Sequence, residues 1–186
     1  MKKLILALLL AVGVSTAASA NMIVVGGNKA IFNEQITFNV VVNDSNALID
    51  GKNQYAKDYY TAKSQQEYDA FVQGLNRAHE SFITYYNEKR GSLKSQIVKD
   101  AACAYTLKIN VTSMNVGNGG GVAFAIYRKC GGAVVNGTMA LVDNASGEIV
   151  CQLVFSDIKG LLCPKFVGRA ISVYRYLADA LIQTVQ

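Results

Sequence analysis

Apolar and polar positions follow two different periods along this chain. Ile36, Phe38, Val40 and Val42 alternate with Thr37, Asn39, Val41 and Asn43, and Tyr105, Leu107, Ile109 and Val111 alternate with Thr106, Lys108, Asn110 and Thr112. A period of two puts every second side chain on one face, so both stretches predict half-buried strands, over 36–42 and 105–115. Shorter apolar runs predict further strands at 22–25, 122–128, 133–142 and 148–156. The later strands are separated by a Gly-rich run from Gly117 to Gly121, by Cys130-Gly131-Gly132 and by Asn144-Ala145-Ser146-Gly147. These residues tolerate positive φ, and connections this short predict an antiparallel meander in the C-terminal half.

Between 64 and 90 the period changes. Tyr68, Phe71, Val72, Leu75, Phe82, Ile83 and Tyr86 recur at three- and four-residue spacing, the stripe of an amphipathic helix. Ser64 with Glu67 three residues on makes a capping box, and Gly91 supplies a stop. Gly74 lies inside the pattern and costs ~1 kcal/mol relative to alanine, which leaves room for a kink there. A second stripe of Phe166, Ala170, Val173, Leu177, Leu181 and Val185 follows the only proline, Pro164, and predicts a closing helix. Residues 43–63 show little periodicity and read as an irregular connection. Strands flanked by two helices, rather than strict βα alternation, predict an α+β two-layer sandwich: a mainly antiparallel sheet with both helices packed on one face.

The first twenty residues change the picture from fold to address. Lys2 and Lys3 precede an apolar run from Leu4 to Val14, followed by Ala18-Ser19-Ala20; this is the layout of a signal peptide with a small-residue cleavage site. The expectation is a leader at 1–20 and a single domain at 21–186, exported to the periplasm or secreted. The leader's run falls short of the ~20 apolar residues of a membrane span, and no later segment comes closer. The formal charge of +5 includes both leader lysines. The remaining excess is scattered, with its densest group at Lys89, Arg90, Lys94 and Lys99, which a solvated helix end explains. Nucleic-acid binding is not expected.

Candidate chemistry is sparse. Gly117, Gly119, Gly120 and Gly121 suggest a phosphate loop, but they open a strand rather than a helix and lack the Lys-Ser/Thr ending. His79, the only histidine, lies beside the first helix's apolar stripe and reads as a packed or boundary residue. Catalysis there would need a nucleophile, for which Cys103 or Cys151 are conceivable, and an orienting carboxylate. Asp143 and Glu148 flank a hairpin turn that accounts for both. No catalytic residue, cofactor or metal site is assigned. Tyr55, Tyr59 and Tyr60 crowd the irregular connection, while Tyr174 and Tyr176 sit on the closing helix; tyrosines suit contact surfaces but also pack such segments onto a domain.

Cys103, Cys130, Cys151 and Cys163 form an even set in an exported chain, so disulfides are permitted. Counting back from a turn at Asn144–Gly147 places Cys130 near Cys163 and Cys151 opposite Ala140. Counting from a tight turn at Gly117–Gly120 places Cys103 opposite Val134, at the same end as Cys130. The expected disulfide is therefore Cys130 with Cys163, with Cys103 as a competing partner and Cys151 left as an unpaired core thiol.

One resemblance spans 104–185 and, more loosely, the helix from Ser64. Ala104-Tyr105-Thr106-Leu107-Lys108-Ile109, Cys130-Gly131-Gly132, Gly137-Thr138-Met139, Val142-Asp143, Ser146-Gly147-Glu148-Ile149-Val150-Cys151 and Lys159-Gly160 resemble a group of exported Bacteroidetes domains of unassigned activity. In outline that group is similar to the curli-secretion lipoprotein and to the amino-terminal domain of TolB, where an Asp-x-x-(Thr/Ser)-Gly-Glu hairpin precedes a terminal helix. The resemblance implies protein contacts in the envelope rather than chemistry, and brings no catalytic residue with it. The chain departs from the curli relative in lacking a lipidated cysteine and a pore-forming strand pair. The expected function is that of a non-enzymatic exported domain that binds an envelope or extracellular protein. The alternatives are a small envelope hydrolase and a carrier of a small apolar ligand.

Overall fold

The structure, a computed structural model, describes residues 21–49, 52, 54–117 and 132–186. The expected leader, the strand expected at 122–128 and Cys130 lie outside the described residues. In chain order the elements are β1 (Met22–Gly27), a short 3-10 turn (Lys29–Asn33), β2 (Thr37–Asn43), β3 (Leu48–Ile49), β4 (Gln54–Tyr55), α1 (Ala56–Thr61), α2 (Gln65–Lys89), β5 (Gln96–Ile97), β6 (Tyr105–Asn115), β7 (Val134–Asp143), β8 (Ile149–Lys159) and α3 (Phe166–Val185). The protein is α+β, with a largely antiparallel sheet and its long helices on one face. The stretch 43–63, expected to be irregular, contains β3, β4 and α1. These elements are too short to leave a period in the sequence, and β3 and β4 acquire their form only by pairing with β6 and with each other.

The sheet runs β1-β8-β7-β6-β2-β5, with β3 on β6 and β4 on β3. β1, β8, β7 and β6 pair antiparallel, whereas β2 runs parallel to both β6 and β5. A parallel neighbour needs a long crossover, and α2 lies in the chain between β2 and β6. The meander therefore exists, but β6 pairs directly with β7, from Tyr105 opposite Asp143 to Asn115 opposite Val134. That corrects the register expected around Gly117. β6 and β7 are therefore not joined by the tight turn assumed there, since residues 116–133 separate them in the chain, and Cys103 lies at the Asp143 end of the sheet and not opposite Val134. Around the Asp143–Glu148 turn the expected pairing of Val142 with Ile149 is found, but an irregularity at Leu141/Val142 shifts the pairs as far as Gly137 by one residue, and a second at Val135/Gly137 shifts the last pairs by two. Cys151 thus faces Leu141, not Ala140.

Alternation decides which face is covered. Val24, Leu153, Met139, Ile109 and Val42 form one cross-strand row, and Cys151, Leu141, Leu107 and Val40 form the next. Against these rows lie Phe71, Leu75, Ala78, Phe82 and Tyr86 of α2 and Val173, Leu177, Ala178, Leu181 and Val185 of α3, in one continuous buried cluster. α2 is unbroken across Gly74. An added Cβ at Gly74 would come within 2.7 Å of the Phe166 ring, so this glycine lets the first turn of α3 press directly against α2. Phe166 also stacks on Phe71, and Phe71 on Tyr60 of α1, at centroid separations of 5.2 and 4.1 Å. Of the expected capping box the N-cap half is present, with Ser64 Oγ accepting the Glu67 N–H, while the Ser64 N–H donates to the Tyr60 carbonyl at 3.3 Å; Gly91, at φ 59°, follows the end of α2.

Candidate functional site

The most concentrated polar chemistry inside the fold joins three elements. Asp44, immediately after β2, is only 6 % exposed. One of its oxygens, Oδ2, accepts the Tyr174 hydroxyl of α3 at 2.7 Å and the Nε2–H of His79 of α2, also at 2.7 Å. A carboxylate can only accept, so in this contact His79 donates through Nε2. The imidazole meets the Tyr174 ring edge-on at 5.2 Å, and the His79 side chain keeps 22 % of its surface exposed. Burial, reinforced by the Asp44 charge and hydrogen bond, holds the Tyr174 hydroxyl well above its ordinary range, so it stays protonated and donates. The arrangement clamps the end of β2 to both long helices.

The sequence places His79 beside an apolar stripe but offers it no partner, because Asp44 belongs to a stretch without periodicity. The legible signal is Tyr174. It lies among Val173, Leu177 and Ala178 on the apolar side of α3, and a buried tyrosine hydroxyl needs a hydrogen-bond partner. Among the described residues no thiol joins His79. Cys151 is fully buried in β8, and burial pushes its thiol up. Cys103 is buried at the far end of β6, where its carbonyl accepts Asn144 Nδ2 at 2.7 Å.

Cys163 lies before α3 at the other end of the sheet. Its carbonyl accepts a bond of 2.7 Å from the buried Arg169, whose guanidinium also binds the carbonyls of Pro164 and Val116 at 2.9 and 2.8 Å. Val116 sits just past the end of β6, and the eleven residues of that strand at ~3.3 Å each put Cys103 and Cys163 tens of ångströms apart, far beyond the ~7 Å reach of a disulfide. No two cysteines are bridged among the described residues.

The remaining candidates resolve into local structure. Asp143 Oδ1 accepts the N–H groups of Ala145 and Ser146 at 2.8 and 3.1 Å, Gly147 takes φ 75°, and the Asp143 N–H donates to the Glu148 carbonyl at 2.9 Å. The two carboxylates thus belong to a hairpin turn. The Gly117 N–H is occupied by Asn115 Oδ1 at 2.9 Å, and Gly119, Gly120 and Gly121 lie outside the described residues. Of the tyrosines, Tyr60 is buried against Phe71, Tyr55 and Tyr176 are exposed, and Lys63 Nζ lies 4.5 Å from the Tyr59 ring centre. Between the helices and the sheet, Leu75, Met114, Val135, Phe166, Val173 and Tyr174 border a void of ≈ 10 Å³, which is about one water molecule.

No family model matches the chain, and no curated protein does. Among solved structures it is similar to a dodecamer of a PelC point variant from Paraburkholderia phytofirmans, at 15 % identity and a TM-score of 0.43, over 86 % of this chain and 97 % of that one. A second PelC dodecamer structure from the same organism matches at 15 % identity and a TM-score of 0.43, over 86 % of this chain and 95 % of that one. Among the described residues no helix is long and apolar enough to cross a membrane.

Proposed function

We propose that the chain is an exported, non-enzymatic domain that acts by binding another protein of the envelope or the extracellular space. The observation that carries this reading is the uncovered face of the sheet, where Ile23, Val25 and Val41 are exposed at 58, 50 and 50 % beside the polar row Thr138, Asn110 and Asn43. Apolar groups set among polar ones on a firm scaffold are the makings of a contact surface. The leader pattern of Lys2, Lys3, Leu4 to Val14 and Ala18-Ser19-Ala20 supports export.

The test is site-specific photo-crosslinking in the native envelope, with the probe at Val41 on the open face and, as a control, at the helix-surface residue Gln73. A discrete adduct from Val41 that is absent from Gln73 is the expected result. Equal or absent labelling at both sites overturns the reading. A small hydrolase is the second reading, favoured by the Asp44–His79 hydrogen bond, which orients an imidazole as hydrolytic sites do. It predicts that His79→Gln abolishes turnover of a general ester substrate by the purified protein, and wild-type protein inert towards such esters removes it.

A further inference from the structure

The strand register fixes what the open face of the sheet offers at its centre. Two complete cross-strand rows run over it from β1 to β2: Ile23, Val154, Thr138, Asn110 and Asn43 in one, and Gly26, Gln152, Ala140, Lys108 and Val41 in the next. Lys108 is the single charge in the two rows. It is exposed, and among the described residues it belongs to no ion pair. Its neighbour across β7 is Ala140, whose side chain is one methyl group, so the space beside the lysine stem is open.

Further donors stand next to that ammonium. Asn110 follows two residues on, on the same face and ~7 Å along the strand. Its Oδ1 accepts Asn43 Nδ2 at 3.1 Å, which leaves the two N–H groups of Asn110 Nδ2 for another acceptor. Thr138 adds a hydroxyl directly across from Asn110. An ammonium, an amide and a hydroxyl with no acid in either row form a set that receives negative charge. Around this spot the face turns apolar again, with Val41 on one side and Val154 and Ile23 on the other.

Resting on the reading that this face meets another protein, we infer that the partner's contact segment carries an aspartate or glutamate whose carboxylate seats on Lys108 and Asn110, in the space over Ala140. Apolar side chains on either side of that acid lie against Val41 and against Val154 and Ile23. Hydrogen bonds between an ammonium and a carboxylate are stronger than neutral ones, and apolar contacts around them keep out the water and salt that weaken an exposed pair. Complementary charge of this kind sets which partner is accepted and in what register. A second copy of the chain would bring the same lysine and no acid in these rows, so it does not supply the carboxylate.

The test is photo-crosslinking of the full chain in the native envelope, with the probe at Val41 and, separately, at Ile23, which lies three strands away from Lys108. Each probe is placed in the wild type, in Lys108→Arg and in Lys108→Glu. The expected result is a discrete adduct from both positions that is kept in Lys108→Arg, where the charge is preserved, and falls at least ~10-fold in Lys108→Glu, which sets like charges together. Lys108 is exposed, and an unchanged circular dichroism spectrum checks that each variant folds. Undiminished adducts in Lys108→Glu, a loss confined to the adjoining Val41 probe, or an equal loss in Lys108→Arg overturns the inference and leaves a partner on the open face in place. Absent labelling in the wild type, or an adduct of twice the chain's mass, overturns it together with the reading it rests on, so the two failures are told apart.

Discussion

The two faces of the sheet share one set of strands and obey opposite rules. On the covered face, Met139, Leu141, Leu107, Cys151, Leu153 and Phe155 are all at or near zero exposure beneath α2 and α3. On the open face, the same strands show Thr138, Ala140, Lys108, Gln152 and Val154, of which Val154 continues the apolar strip begun by Ile23 on β1. Burial, and with it stability, is concentrated in the covered face, and the proposed partner contact falls on the open one. A substitution should therefore report which layer it belongs to.

The sharpest way to break that contrast is to truncate one residue of each face. Leu177→Ala, at 0 % exposure, should lower unfolding stability by about 2–5 kcal/mol, since it removes buried methyl groups and leaves a cavity. Val41→Ala on the open face should change stability by less than ~0.5 kcal/mol. Urea unfolding followed by circular dichroism measures both. Comparable losses for the two would mean that the open face is covered in the folded protein.

A smaller effect tests the clamp between the end of β2 and the two long helices. Asp44→Ala leaves the fully buried Tyr174 hydroxyl and the His79 N–H without their acceptor, and should cost about 1–3 kcal/mol. Tyr174→Phe alone loses one hydrogen bond, about 1 kcal/mol. Combined with Asp44→Ala it should cost less than the two changes added, because the orphaned hydroxyl is gone. Strict additivity in this double-mutant cycle would show that Asp44 and Tyr174 are not coupled and that the clamp carries nothing.

How much of this is legible in the sequence follows from what a period can encode. Alternation at 105–115 marks the true limits of β6, and the stripes at Phe71, Leu75 and Phe82 and at Val173, Leu177 and Leu181 mark both long helices and their buried sides. A period says which face a residue takes but not which strand lies beside it. The parallel placement of β2 against β6 and the direct pairing of β6 with β7 join strands that lie far apart in the chain, separated by α2 and by residues 116–133, so local spacing does not set their register. Counting residues misplaces Cys103 for that reason, while at the short Asp143–Glu148 hairpin it comes within one residue of the true register. The position of His79 at the border of a stripe is readable, but its partner Asp44 is brought to it only by tertiary packing.

The Asp143 turn offers the gentlest test, because it lies at the end of the sheet with residues 144–148 exposed. The N–H groups of Ser146 and Ala145 point at its carboxylate and hold its pKa below the ordinary 3.8. Hydrogen bonds to the charged form lower a carboxyl pKa whether or not the group is buried. The sign follows from linkage: a carboxyl with a depressed folded-state pKa contributes stability above its ordinary value and loses it as pH falls through the folded-state value. The dependence should therefore appear only below about pH 4, the ordinary aspartate range. Carboxyl-detected NMR should show Asp143 titrating below the ordinary aspartate value, and Ala145→Pro, which removes one of the two donors, should move it back up. An unchanged midpoint in that variant would assign the shift to Ser146; a wild-type midpoint at the ordinary aspartate value would show that the turn opens in solution, and with it the anchor that keeps β7 and β8 in register.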